Sequence, residues 1–341
     1  MTGKTSYNKK VKEFKKTILP ASSVLIVTHD YPDPDCIASS FGVQQLLQHW
    51  GVSSSQIAFG GFVGRAENRA MIRFTNIQTV PLMLIEFSDF DRIILVDSFP
   101  GDGNVSLKPD ITVDAVIDHH PHKSKRNKPR FFDIRKDVGS TSTIITQYLK
   151  AEECEISRNL ATALFYGIKT DTHRLSRNVS PEDIACYKML FDAVDHLALS
   201  KIELPDRDAE YFNILHRSAE SMTLYDKKLG HTHLGTVSSP DYIAEMADLF
   251  HSLEDLEWML CSGIFKNQIF FSIRSKNDET AGIKAEKIAH KMNGSGGGHS
   301  TMAAGRVPVE GARFDAAVVE FIEVCKKLLK IKNISGHTIL R

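Results

Sequence analysis

Short, mainly apolar runs at residues 24–27, 56–59, 92–96 and 113–117 alternate with longer stretches of helical periodicity, such as 39–50 and 140–150. A run that is apolar throughout suits a parallel strand buried on both faces, and its alternation with helices is the rhythm of βαβ units. A basic amphipathic segment precedes the first run. From about residue 190 to 229 the pattern is helical and highly charged, with Leu204-Pro205-Asp206-Arg207-Asp208 as a break inside it. A second mixed region follows, with strands expected at 233–237, 259–265 and 268–272 and helices at 240–249 and 282–292; the run from Gly294 to His299 then interrupts it. The pattern predicts an α/β protein of two domains. Residues 1–190 are expected to form a doubly wound, mainly parallel sheet, 191–229 a helical connector, and 230–341 a smaller mixed α/β domain across a cleft.

Composition narrows the functional classes. A chain of 341 residues exceeds what one core usually serves, which agrees with two domains. Lys plus Arg and Asp plus Glu both number 42, so no global field favours long nucleic acids or anionic membranes, and any anionic ligand must be held locally. The five cysteines, Cys36, Cys154, Cys186, Cys261 and Cys325, are far apart and read as reduced thiols rather than a disulfide framework. The basic start at Met1 leads into no apolar h-region, and no stretch of about 18 apolar residues occurs, so a soluble cytoplasmic protein is expected.

Chemistry concentrates where the apolar runs end. Asp118-His119-His120 closes the run that ends in Val116-Ile117, a costly place for charge unless a metal, a phosphate or a catalytic task requires it. His29, Asp33 and Asp35 follow the first run at spacings of four and two, on a segment stiffened by Pro32 and Pro34. Asp97 ends the run 92–96, and Asp171 follows the apolar pattern 160–168. Singly, each has an ordinary explanation in turn chemistry or a strand-end cap. Together they read as a divided two-metal centre, each cluster being expected at a strand's C-terminal end. Four Asp and at least two His suit Mn²⁺, with Mg²⁺, Co²⁺ and Fe²⁺ compatible, and the lack of thiolate pairs argues against structural zinc. Two such ions about 3.5–4 Å apart would activate water for hydrolysis of a phosphate ester.

These motifs, in this order, resemble the DHH superfamily of phosphoesterases in its stand-alone form with a C-terminal DHH-associated domain. His29-x-x-Pro32-Asp33-x-Asp35, Asp97, Asp118-His119-His120 and Thr170-Asp171-Thr172 are similar to its four motifs, and Gly296-Gly297-Gly298-His299 to the signature of the associated domain. The resemblance spans roughly residues 22–307. It implies His29, Asp33 and Asp97 on one metal and Asp35, Asp97, His119 and Asp171 on the other, with Asp97 as the bridge. It also implies that Asp118 orients its neighbours and that His120 faces the scissile phosphate. Many members have Asp-Gly-Asp followed by a small residue where this chain has Asp33-Pro34-Asp35-Cys36; Cys36 reads as a buried packing residue, with a redox-sensitive thiol as the alternative.

On the substrate side, the resemblance makes His299 and Arg274 contacts, and Arg274 reads equally as an exposed strand residue. Gly296, Gly297 and Gly298 offer unobstructed backbone N–H groups, and Arg306 follows among small residues. The segment 60–69 reads either as a substrate loop presenting Arg65 and Arg69 or as a turn into a helix. The basic run 122–130 is a solvated loop or a local attractor of anions, and 139–143 a helix cap or a phosphate contact. The expected activity is a Mn²⁺-dependent phosphodiesterase that cuts very short oligoribonucleotides, or linear and cyclic dinucleotides such as pApA and pGpG, to mononucleotides, as a nanoRNase does. A 3′-phosphatase acting on adenosine 3′,5′-bisphosphate is the alternative, and a non-catalytic dinucleotide sensor or a processive single-strand exonuclease stand further off. Pyrophosphatase relatives generally lack the Gly-Gly-Gly-His end, which lowers that expectation. No long duplex and no membrane is expected as a partner, and a homodimer stays open.

Overall fold

The computed structural model describes residues 2–122, 128–226, 228–277, 280–298, 301–309, 314–331 and 336–338. They divide into two compact units, Met1–Asp206 and Arg207–Arg341. Of the stretch 191–229 expected as a connector, the part up to Asp206 belongs to the first unit and the remainder to the second.

The first unit is built on strands β1 (Ser23–Val27), β2 (Ser54–Phe59), β3 (Thr79–Pro81), β4 (Arg92–Val96), β5 (Ala115–Asp118) and β6 (Phe131–Ile134). They form a six-stranded sheet in the order β3-β2-β1-β4-β5-β6, parallel throughout. Alternate residues of the apolar runs serve opposite faces. Val24, Ile26, Ile94, Val96 and Ile117 join a cluster with the helices α1 (Thr2–Ile18), α2 (Pro34–His49), α3 (Ala66–Thr75), α4 (Thr141–Ala151) and α5 (Arg158–Asp171). Leu25, Val27, Ile93, Leu95 and Val116 face the other way, under Leu82, Phe99, Val113 and the connections around them. Burial on both faces is why these strands read as continuously apolar. Helices α6 (Pro181–Phe191) and α7 (His196–Glu203) complete the unit. The chain turns left from β1 and right from β4, so the gap between these neighbours is the topological switch point where open α/β sheets bind ligands.

Helix α2 begins at Pro34, five residues before the periodicity suggests. Pro34 occupies the first helical turn, and the Asp33 side chain caps it by accepting from the Cys36 N–H at 3.0 Å, so the Asp-Pro pair read as a turn is a helix start. Helix α4 starts in the same manner, with the Ser140 hydroxyl accepting from the Thr143 N–H.

The second unit contains α8 (Ala209–Ser221), β7 (Thr223–Tyr225), β8 (Leu229–Thr236), α9 (Asp241–Phe250), β9 (Trp258–Phe265), β10 (Gln268–Ser275), α10 (Ala281–Lys291), β11 (Ser295–Gly298), β12 (Met302–Pro308), α11 (Phe314–Leu328) and β13 (His337–Thr338). Its seven strands run β11-β12-β10-β9-β8-β7-β13, with β8 and β9 parallel and the other pairs antiparallel. The glycine run expected to interrupt this region is instead strand β11, paired with β12 and packed against α10, where the missing side chains allow close approach. All five cysteines are free and buried. Among the described residues no helix is long and apolar enough to cross a membrane.

Candidate metal centre

The loops that leave β1, β4 and β5 and the last turn of α5 bring one set of side chains together. His29, Asp33, Asp35, Asp97, His119, His120 and Asp171 fall into triads, two of which share His119: His29 with Asp33 and Cys36, Asp97 with His119 and His120, and Asp35 with His119 and Asp171. Within each triad the potential ligand atoms lie within 4.8 Å of one another. Asp171 ends helix α5, not a strand, which corrects the expectation that every cluster closes a strand.

Asp97 joins the two sides. Its Oδ2 lies 3.7 Å from His29 Nε2, while its Oδ1 lies 3.7 Å from His119 Nε2 and 3.5 Å from His120 Nδ1. The Thr141 hydroxyl donates to Oδ1 at 2.7 Å and fixes the carboxylate. Asp97 also has φ of 59°, a left-handed conformation that costs a non-glycine residue about 1 kcal/mol and that Asp tolerates better than most. Its N–H still bonds to the Ile117 carbonyl at 2.9 Å, so the turn that aims the side chain keeps its link to β5.

Asp33 has two tasks: Oδ1 caps α2 and Oδ2 stands 3.7 Å from His29 Nε2. Asp35 is fully buried, and its two oxygens accept from the first backbone N–H groups of α4, Thr141 at 2.7 Å and Ser142 at 2.8 Å. The positive end of that helix thereby supports a buried carboxylate. The 139–143 segment, read from sequence as a cap or a phosphate contact, thus grips two of the clustered acids. It is held in turn by Asp183, whose carboxylate accepts from the Gly139 N–H at 2.8 Å and the Thr143 hydroxyl at 2.5 Å.

Asp118 accepts from the backbone N–H of His120 at 2.9 Å and lies 2.9 Å from its Nδ1, so it sets the orientation of the ring. On its other side Asp118 Oδ2 lies 3.3 Å from His122 Nε2, and His122 Nδ1 lies 2.6 Å from Asp102. His122, stacked on Phe99 at 4.5 Å, therefore extends the Asp118–His120 pair and is not simply the start of a basic loop. Residues 123–127 of that loop lie outside the described residues.

Charge balance bears on what the centre can hold. Burial and the charges of Asp97 and Asp171 push the Asp35 carboxyl well up, although the α4 amides favour its anion. Burial opposes charge on His119, but Asp171 and Asp97 outweigh it and raise the ring to about 9. His120 is likewise raised against burial by Asp118 and Asp97, to about 11. His119 Nε2 lies 2.9 Å from Asp171 Oδ2, yet this buried atom has no hydrogen-bond partner, so the two atoms approach without being directed at each other. Imidazole and carboxylate donors around an unsatisfied nitrogen fit divalent cations, which replace the protons that balance the acids here. Metal binding is accordingly expected to expel protons. With His119 protonated up to about pH 9 in the metal-free protein, apparent Mn²⁺ affinity should rise as pH rises towards that value. Calorimetric titration in two buffers of different ionisation heat should show the release; a buffer-independent heat would contradict it.

Arg65 precedes α3 as its N-cap residue. Arg274, Gly296, Gly297, Gly298 and Arg306 belong to the second unit. Arg274 is buried, not exposed, and its Nε donates to Asp248 at 2.5 Å; Arg306 is exposed and donates to the Ser295 hydroxyl at 3.2 Å. His299 lies outside the described residues. Cys36 is buried beside His29, with Sγ 3.3 Å from the Asp33 carbonyl, and burial pushes its thiol up to about 12. The supports from Thr141, Ser142, Asp183 and His122 were not legible as site residues. Only the Ser/Thr-rich segment 139–143 and the spacing of His122 from Asp118 hinted at them.

Comparison with known proteins places these features. Residues 23–168 match the DHH family, N-terminal domain, and residues 227–328 match the DHHA1 domain. An uncharacterized protein of Methanocaldococcus jannaschii is 34% identical over 301 residues, covering 88% of this chain and 60% of that protein. This chain thus spans less than two thirds of that relative's length. A protein of Enterococcus faecalis described as a probable manganese-dependent inorganic pyrophosphatase is 24% identical over 237 residues, covering 67% of this chain and 76% of its own length. The crystal structure of an exopolyphosphatase-related protein from Bacteroides fragilis shares the fold, with a TM-score of 0.73 at 18% identity over 94% of this chain and 98% of that one.

Proposed function

Because this chain belongs to the DHH family and carries a DHHA1 domain behind its DHH domain, we propose that it is a manganese-dependent phosphodiesterase that cuts very short oligoribonucleotides or dinucleotides to mononucleotides. The observation that carries the phosphoester chemistry is Asp97, whose two oxygens face two different ligand clusters while His120 stands 3.5 Å away. Manganese is supported by the donor set and by the naming of the enterococcal relative. Two such cations would polarise the phosphoryl oxygens and lower the pKa of a water.

The chain's own residues supply the rest. His29, Asp33 and Asp97 would hold one cation, and Asp35, Asp97, His119 and Asp171 the other. His120, kept protonated by Asp118, donates to a phosphoryl oxygen or to the leaving oxygen. In the DHHA1 domain, Arg274, His299, Arg306 and the Gly296–Gly298 backbone are the candidates for gripping the remainder of the substrate, with Arg65 a further candidate in the first unit. The absence of a global positive charge favours a short substrate over a long one.

Hydrolysis of a panel by the Mn²⁺-loaded protein, read by chromatography, tests this reading. The panel holds pApA, pGpG, a cyclic dinucleotide, five- and twenty-nucleotide RNAs, adenosine 3′,5′-bisphosphate and pyrophosphate. Mononucleotide release that is fastest from the dinucleotides and falls steeply by twenty nucleotides is expected. Turnover confined to pyrophosphate or to the bisphosphate would replace the reading.

A further inference from the structure

We infer that Tyr31 and Phe62 form a stacking surface for a nucleobase of the substrate, an inference that rests on the phosphodiesterase reading and specifies what that site recognises. Tyr31 lies between two candidate ligands, His29 and Asp33, so its ring is fixed to the backbone of the metal centre itself. It is 52% exposed and meets Phe62 edge to face, with ring centroids 5.2 Å apart and planes at 89°. A single exposed aromatic ring is ordinary on a protein surface. This one is held in place at a cost.

Tyr31 has φ of 56°, a left-handed conformation that bulky residues avoid and that costs about 1–2 kcal/mol. Three separate contacts hold the segment in it. The Tyr31 N–H donates to the Gly60 carbonyl at 3.0 Å, the Pro32 carbonyl accepts from the buried Asn68 side chain at 3.0 Å, and the Asp30 carboxylate accepts from the Ser106 N–H at 2.9 Å and hydroxyl at 2.6 Å. The glycine pair, in a stretch read from sequence as either a substrate loop or a turn into a helix, serves this same segment. A side chain at Gly60 would overlap the Asp30 carboxylate, and one at Gly61, which has φ of 69°, would overlap the Tyr31 ring. The ring therefore lies against Gly61 and meets Phe62 at a right angle, while about half of the residue remains open.

A rigid aromatic surface two residues from metal-binding groups on either side offers nothing to an inorganic phosphate, which has no π-face. It does suit a base attached to the phosphoester, because base-on-aromatic stacking is tolerant of sequence and substantial in energy. The substrate class is then a nucleoside phosphodiester whose base lies against Tyr31 while its phosphate meets the cations.

The test compares kcat/KM for pApA with that for the same phosphodiester backbone lacking both bases, in wild type, Tyr31→Asn, Tyr31→Phe and Phe62→Ala, all loaded with Mn²⁺. Asn is used because it accepts the left-handed backbone. Wild type should prefer pApA, and Tyr31→Asn should reduce that preference by about 5- to 100-fold, mostly through KM. Tyr31→Phe should retain the preference, and Phe62→Ala should lose part of it. Equal rates on both substrates in wild type, or an unchanged preference in Tyr31→Asn with its Mn²⁺ binding intact, would overturn the stacking surface and leave the phosphodiesterase reading standing. Failure of wild type to cut either diester, with pyrophosphate still hydrolysed, would overturn both.

Discussion

Asp97→Asn should abolish turnover, by about a thousandfold or more, in a protein that still folds. Asn keeps the size of the side chain and accepts the left-handed backbone that position 97 requires, so the Ile117 link and the turn after β4 should survive. What is lost is the shared negative charge between the His29 side and the His119 side. A neutral amide binds a divalent cation weakly and bridges two poorly, and each decade of rate corresponds to about 1.4 kcal/mol of lost stabilisation. The metal-free variant loses one of the charges that push the buried Asp35 carboxyl up, and with it the charge that favours protonated His119 and His120, so its Tm should change little. The rise in Tm expected of the wild type on binding Mn²⁺ should be absent from the variant. Thermal melts with and without Mn²⁺, beside the rate assay, check all three; a variant with near wild-type rate would remove Asp97 from the centre.

The second large effect falls on His120. In the metal-free protein its ring is oriented by Asp118 and raised to about 11 by Asp118 and Asp97 against the pull of burial, which favours the imidazolium. His120→Gln should lower kcat by about 10²- to 10⁴-fold, the usual contribution of a placed acid, while the metal content stays at the wild-type level. The sign of the pH dependence follows from the protonated form being active: wild-type kcat should fall as pH rises through the His120 pKa, and the fall should be absent from the variant. Measuring kcat against pH together with metal content separates this from a ligand role. Loss of metal in His120→Gln would make His120 a ligand instead.

How far the chain could be read in advance depended on how local the physics was. Strands β1 and β4 were visible because both of their faces are buried, which leaves no polar positions in the run. The start of α2 was hidden because Asp33-Pro34 is equally good turn and helix-start chemistry, and only the bond from the Cys36 N–H distinguishes them. Strand β6 carries Phe132 exposed beside Phe131 buried over four residues, too short a signal to separate from a loop. Strand β11 is glycine-rich, which argues against a strand until pairing with β12 supplies the hydrogen bonds.

The same distinction runs through the site. The acids and imidazoles announced themselves by ending apolar runs. Their supports did not, because Thr141 and Ser142 meet Asp35 from 106 and 107 positions away, and Ser106 meets Asp30 from 76. His122 was masked by the basic residues after it, although the spacing from Asp118 lets one carboxylate serve both His120 and His122.

Two Mn²⁺ ions sharing Asp97 is the claim on which the rest depends, and low-temperature electron paramagnetic resonance of the Mn²⁺-titrated protein tests it most directly. Two ions per chain with the spectrum of a spin-coupled pair is the expected result, reduced in Asp97→Asn to uncoupled ions. A single equivalent per chain, or two ions giving only isolated six-line spectra in the wild type, would contradict it.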